Sequence, residues 1–164
     1  HVQDDPTAEQ IAEATLQATY RLKLFGIEPK VALLSHSNFG SHDTPGAQKM
    51  RKVRELLRER MPKLEMDGEM QGDTAWDEAL RRKMMPNTTL SGRANLFVLP
   101  NIDAANITYN MVRVMTDGVA IGPILMGISK PVHILTSSAT PRRVVNMTAI
   151  AAVDAQIRKH VGAT

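Results

Sequence analysis

The sequence predicts a three-layer α/β/α fold around a mixed, mostly parallel sheet, and three observations predict it. Short apolar runs read as buried strands, NLFVL from Asn95 and KVALLS from Lys30, the latter of the type buried on both faces. They alternate with longer stretches whose apolar residues recur at helical spacing, and that alternation places helices on both faces of a parallel sheet. Two further runs, VAIGPI from Val119 and PVHIL from Pro131, have only about seven residues between them, whereas a parallel crossover needs about a dozen or more. As neighbours they are expected to be antiparallel.

In chain order, Thr7 caps a first helix with Gln10 reaching back from three residues on, and Ile11, Ala14, Ala18, Leu22 and Phe25 mark its apolar face as far as Gly26. KVALLS follows, then a polar loop from His36 to Gly46. A helix from about residue 47 to 61 buries Met50, Val53, Leu57 and Met61, and Pro62 ends it. Next come a short strand at Leu64–Met66, the turn DGEMQGD, and a helix from about Thr74 to Met84 with Trp76 and Leu80 inward. PNTTLSG from Pro86 is an irregular connection to NLFVL. Ile102, Tyr109, Val112 and Met115 then form one stripe of a helix ended by Gly118. The last helix, from about Pro141 to Val161, has Thr140 as its cap and a weak, alanine-rich side along Val145, Thr148, Ala152 and Gln156.

With 164 residues, 43% of them hydrophobic, the chain is long enough for one domain with a real core. No run approaches the roughly 20 apolar residues of a membrane helix, and the amino terminus lacks a signal-type core, so the cytoplasm is the default. Without cysteine there is no disulfide, thiolate nucleophile or thiolate-bound zinc. A start at His1 suggests a piece cut from a longer chain. The formal charge of +3 and the basic cluster Lys49, Arg51, Lys52, Arg54, Arg58 and Arg60 invite a nucleic-acid reading. Glu55 and Glu59 alternate with those cations, and 4% aromatics leaves little to stack bases on, so a solvated helix face is preferred.

Ser35, Ser37, Asn38, Gly40 and Ser41 follow one strand and precede a helix, where open α/β sheets bind ligands and backbone N–H groups hold anions; the alternative is an ordinary polar loop. No phosphate-binding glycine fingerprint is present. Asp67, Glu69 and Asp73, with His36, His42 and His133, match neither calcium nor zinc spacing, so surface and turn roles are expected and no metal is assigned.

Five segments in order, VALLSHSNFGS from Val31, MDGEMQGDTA from Met66, PNIDAANITYN from Pro100, AIGPILMG from Ala120 and KPVHILT from Lys130, resemble the carboxy-terminal half of the phosphate acetyltransferase and butyryltransferase family. The spelling LSHSNFGS is most similar to the transferase-like carboxy-terminal portion of bacterial NADP-dependent malic enzymes. The resemblance covers nearly the whole chain. It implies an α/β dimerising domain over residues 1–135 and, over 136–164, a terminal helix that in the intact family packs on an amino-terminal half absent here. It also raises Asn106 to a cleft residue.

Active members of that family carry, after the proline-valine strand, a Ser-Arg pair that orients acyl phosphate and coenzyme A, and an acidic base a few residues on. Aligned on Pro131 and Val132, these positions are Thr136, Ser137 and, on or beside it, Arg143. A cation cannot accept the thiol proton, and a hydroxyl cannot replace a guanidinium fork. The resemblance therefore implies a non-catalytic regulatory and oligomerising domain that pairs with itself and senses acetyl-CoA or a related metabolite, with NADP and a divalent metal held only in a parent domain outside these residues. An active phosphate acyltransferase and a purely structural oligomerisation module are the alternatives. Arg142 and Arg143 fall in the first turn of the last helix, where the macrodipole disfavours each by roughly 0.3–1 kcal/mol. An anion held there with the Thr136, Ser137 and Ser138 hydroxyls would reverse that sign.

Overall fold

The structure, a computed structural model, describes residues 3–116, 118–137 and 139–161, with the side chains of 158–161 excepted. It divides into two compact units, His1–Met111 and Val112–Thr164. The first is an α/β unit whose sheet has three parallel strands, β1 (Lys30–Leu34), β2 (Glu65–Met70) and β3 (Leu96–Val98), in the order β2-β1-β3. The α/β class is as expected. No antiparallel strand joins the sheet among the described residues.

Helix α1 (Ala8–Leu24) starts at a reciprocal capping box: the Thr7 hydroxyl accepts from the Gln10 N–H at 3.3 Å, and the Gln10 side chain accepts from the Thr7 N–H at 2.9 Å. Its buried side is Ala8, Ile11, Ala12, Thr15 and Thr19, rotated from the expected Ala14, Ala18, Leu22 and Phe25. Threonine is admitted because Thr15 and Thr19 donate their hydroxyls to the Ile11 and Leu16 carbonyls, both at 2.7 Å, so that no polar group is left unpaired. Helix α2 (Pro45–Arg60) starts at Thr44, with proline in its first turn, and buries Ala47, Met50, Val53 and Leu57, while Met61 caps its end half-buried. Full burial of a side chain such as Leu57 stabilises by about 1.5–3 kcal/mol.

The period-2 alternation of β1 sorts two cores. Val31 and Leu33 join the core built with α1 and α2, and Ala32 packs with Met70, Ala75, Leu90 and Ala94 in the other. The segment expected as the turn DGEMQGD is instead strand β2 through Met70. Gly68 pairs with Leu33 and Met70 with Leu34, so Glu69 is an extra residue, and Met70 joins the core opposite to that of Met66. Gly68 sits at φ +139°, and a Cβ there would stand 2.6 Å from the Leu33 carbonyl oxygen; no other residue fits.

The expected single helix over Thr74–Met84 is two, α3 (Gly72–Trp76) and α4 (Glu78–Met84). Asp77 breaks them apart in extended conformation because its carboxylate caps the Ala79 and Leu80 N–H groups. Trp76 is exposed, stacked on Phe97 with Arg93 over its ring, and Leu80 is half-buried. The largest fully buried side chain here is Arg81. Its guanidinium donates to the carbonyls of Thr74, Ala75, Leu90 and Gly92 and so ties the irregular 86–92 connection to both short helices. Burial pulls its pKa below the usual guanidinium range, with Glu78 opposing.

Helix α5 (Ile102–Met115) forms as expected but has no buried residue, and Tyr109, Val112 and Met115 of its expected stripe are exposed. In the second unit VAIGPI and PVHIL form no strand. Pro123 lacks the N–H a ladder needs, and Gly122 is at φ +140°. The Leu125 N–H instead meets the His133 Nδ1 at 3.4 Å. Helix α6 (Pro141–Val161) buries Met147 and Asp154, not the expected side, where Val145, Thr148 and Ala152 are exposed. With so little apolar contrast around its circumference, α6 carries no pattern strong enough to set its rotation. Among the described residues no helix is long and apolar enough to cross a membrane.

Candidate functional site

In the first unit, β2 and β3 flank β1 on opposite sides, so the chain leaving β1 turns toward one neighbour and away from the other. The carboxyl ends of β1 and β3 therefore border a switch point, the place where open α/β sheets leave a ligand crevice. A cleft of about 400 Å³ lies there. It is lined by Ser35 and His36 after β1, Pro45, Gly46 and Lys49 of α2, Pro100 and Asn101 after β3, and Asp5.

The serine loop beside this cleft is fixed from beneath. Glu69, the extra residue of β2, is fully buried, and its Oε1 accepts from the Ser37 hydroxyl (2.8 Å), the Gly40 N–H (2.8 Å) and Arg51 Nη1 (3.0 Å). Its Oε2 has no protein partner. Asn38 and Gln71 bond each other twice, at 2.8 and 3.0 Å, and the Gln71 side chain donates to the His36 carbonyl. These contacts hold Phe39 at φ +47°, a region non-glycine residues rarely enter. Ser35 lines the cleft. Ser37 is buried, its hydroxyl taken up by Glu69 and the backbone of His42.

A second acid, Asp67, is also buried. It accepts from the Gly68 N–H, the Thr88 hydroxyl and the Thr89 N–H, with Arg54 at 3.7 Å and Arg58 at 4.0 Å. The surface and turn roles expected for Asp67 and Glu69 do not hold, since both carboxyl groups are buried and face guanidinium groups of α2. Arg51 and Arg54 are thus half-buried on a helix expected to present its cations to solvent, the more exposed Arg58 lies on the same face, and Lys52 and Glu55 pair at its surface. The missed signal was legible: cations at i, i+3 and i+7 lie on one helix face. At the strand edge, burial opposes ionisation of Glu65, but two hydrogen bonds from Ser91 and the nearby Lys30 bring its pKa below the usual carboxylate range.

The other expected site residues fall elsewhere. Asn106 is exposed on α5, and the side chain of Asn110 donates to both its carbonyl and its side-chain oxygen. In the second unit, Thr136 and Ser137 are exposed, and the Ala139 N–H closes a turn onto the Thr136 carbonyl at 3.0 Å. The Thr140 hydroxyl accepts from the Arg143 N–H, capping α6 as expected. Arg142 is exposed, and Arg143 Nε donates to the Gly122 carbonyl at 2.9 Å. Ser138 lies outside the described residues.

Residues 1–152 match the family described as phosphate acetyl/butaryl transferase. The chain is 56% identical over 157 residues to the NADP-dependent malic enzyme of Escherichia coli, covering 95% of this chain and 21% of that protein. It is 53% identical over 154 residues to an NAD-dependent malic enzyme of Rhizobium meliloti, and 37% identical over 158 residues to a phosphate acetyltransferase of Nitratidesulfovibrio vulgaris. The chain thus spans about a fifth of the length of these relatives. Among solved structures, a phosphotransacetylase from Streptococcus pyogenes superposes with a TM-score of 0.89 at 34% identity, over 94% of this chain and 47% of that one. The superposition on that phosphotransacetylase and the match over residues 1–152 agree, and the chain belongs to the phosphate acetyl/butaryl transferase family.

Proposed function

We propose that this chain is a non-catalytic regulatory and oligomerising portion of a malic enzyme, acting in the cytoplasm and sensing acetyl-CoA or a related phosphate-bearing metabolite. The observation that carries the reading is Arg143. It stands on or beside the place of the family's acidic base, and its Nε is committed to the Gly122 carbonyl. A guanidinium cannot take a thiol proton at neutral pH. Thr136 and Ser137 replace the Ser-Arg pair, so the fork that would orient an acyl phosphate is also missing. The identity to malic enzymes exceeds that to phosphate acetyltransferases, which supports the same choice. NADP and a divalent metal belong, on this reading, to a malate-oxidising domain outside these residues; the NAD-dependent relative leaves the choice of nicotinamide cofactor to that domain.

Three measurements on the intact protein test this. Acetyl phosphate should give no acyl transfer to coenzyme A above a heat-killed control; turnover abolished by Thr136→Ala would establish the acyltransferase alternative. Calorimetric titration should show acetyl-CoA binding that weakens in Arg142→Ala and Arg143→Ala, while light scattering should find a dimer or larger. Equal affinity in all three proteins removes the arginines from the site, and a monomer that binds nothing removes the regulatory reading.

A further inference from the structure

The first unit has another hollow, of about 360 Å³, where α3 gives way to α4; it is lined by Trp76, Asp77, Glu78, Ala79, Gly92 and Arg93 and shares no lining residue with the cleft at the ends of β1 and β3. Trp76 is 54% exposed, and the Arg93 guanidinium lies over its ring, 5.0 Å from the centre. Bonds made by their neighbours fix this pair. The Ala94 N–H donates to the Ala75 carbonyl at 3.2 Å, the Gly92 N–H donates to Glu78 Oε2 at 2.8 Å, and Arg81 donates to the Gly92 carbonyl. Both carboxylates of the hollow are engaged elsewhere, Glu78 with Arg82 and Gly92, and Asp77 with the Ala79 and Leu80 N–H groups. Arg93 is thus oriented by an aromatic face, while among the described residues its N–H donors have no hydrogen-bond or ion-pair partner.

We propose that this hollow is a second ligand site and that it takes a carboxylate carried on an apolar body. A guanidinium presents a planar fork that meets a carboxylate with two parallel hydrogen bonds, and its seat on an aromatic ring reduces the freedom lost when those bonds form. The open part of the Trp76 ring covers the apolar body. Local charge favours an anion, since Arg81, Arg82 and Arg93 stand against Asp77 and Glu78. A cationic ligand would instead find both carboxylates already bonded and Arg93 repelling it. The volume falls within the roughly 300–1,000 Å³ usual for small-ligand clefts. A free organic acid and the carboxyl end of a polypeptide share this chemistry, and the test separates them. The proposal goes beyond the effector reading and uses none of its residues.

Trp76 is the chain's one tryptophan, so its fluorescence in the full chain reports this site directly. The titrants, at constant ionic strength, are sodium hexanoate, its neutral counterpart hexanamide, and the tripeptide acetyl-Gly-Gly-Leu with a free carboxyl end. A saturable change in emission is expected with hexanoate or with the tripeptide, the tighter of the two naming the source, and hexanamide should bind more weakly by about tenfold or more. Arg93→Ala, with its fold checked by circular dichroism, should weaken binding of the acid by about tenfold, and Arg93→Lys, which keeps the charge but loses the fork, by about threefold or more. No saturable response to either acid, an equal response to hexanamide, or unchanged affinity in Arg93→Ala would overturn the site. Acetyl-CoA titration of the same variant keeps the two readings apart. Arg93→Ala should bind acetyl-CoA as the wild type does, and a loss there would merge the hollow with the effector site and overturn its being a second one. Hexanoate binding that depends on Arg93, in a protein that does not bind acetyl-CoA, leaves this site standing and removes the effector reading.

Discussion

The two units treat apolar and polar residues in opposite ways. In residues 1–111 large polar groups go inward onto partners: Glu69 under the serine loop, Asp67 under Thr88 and Thr89, Arg81 among four carbonyls, and apolar cores fill both sides of the sheet. Among the described residues of 112–161 several large apolar groups face outward, with Val114 at 79%, Met115 at 76% and Ile134 at 65% exposure, and Met147 is buried. A buried polar network has few acceptable geometries, because each unmatched group costs about 1–3 kcal/mol. An apolar run has no such demand and takes whatever cover it finds. The first unit therefore specifies its own geometry, while the second carries strong local patterns that this chain alone does not convert into strands.

The comparison is broken most severely at Arg81. Arg81→Ala leaves four carbonyls without their donor and opens a void between α3, α4 and the 86–92 connection, so a loss of about 3–5 kcal/mol is expected in urea unfolding. A loss below about 1 kcal/mol would mean that water replaces the guanidinium freely and that the network does not specify the unit. Gly68→Ala comes next. Its Cβ meets the Leu33 backbone and its φ suits glycine alone, so about 2–3 kcal/mol is expected, with faster amide exchange at Phe39 and Gly40 as the bulge that carries Glu69 shifts. Retained protection at those amides would separate the loop from the bulge. The smallest effect belongs to the second unit, where Val114→Ser should stay within about 0.5 kcal/mol in the isolated chain. A larger loss at low concentration would show that this surface is already covered.

Much of this protein was legible because its determinants are local. Thr7 with Gln10 fixed the start of α1, Thr140 with Pro141 that of α6, and the apolar runs at 30–34 and 96–98 became parallel strands. The serine loop was placed correctly at the carboxyl end of β1 for the same reason, a strand-to-helix junction written in adjacent residues. Tertiary structure decided what depends on partners far apart in sequence. DGEMQGD reads as a turn by composition, yet Glu69 meets Ser37 and Arg51, and Asp67 meets Thr88, so the segment is buried strand. The rotation of α1 was likewise settled by threonines able to bond their own helix. VAIGPI and PVHIL are apolar runs with no ladder to join, because a strand is a pairing and not a property of one segment. Sequence determined where elements begin and which ends carry the cleft; only three-dimensional pairing decided which polar residues are interior, since each needs a counterpart that no local pattern names.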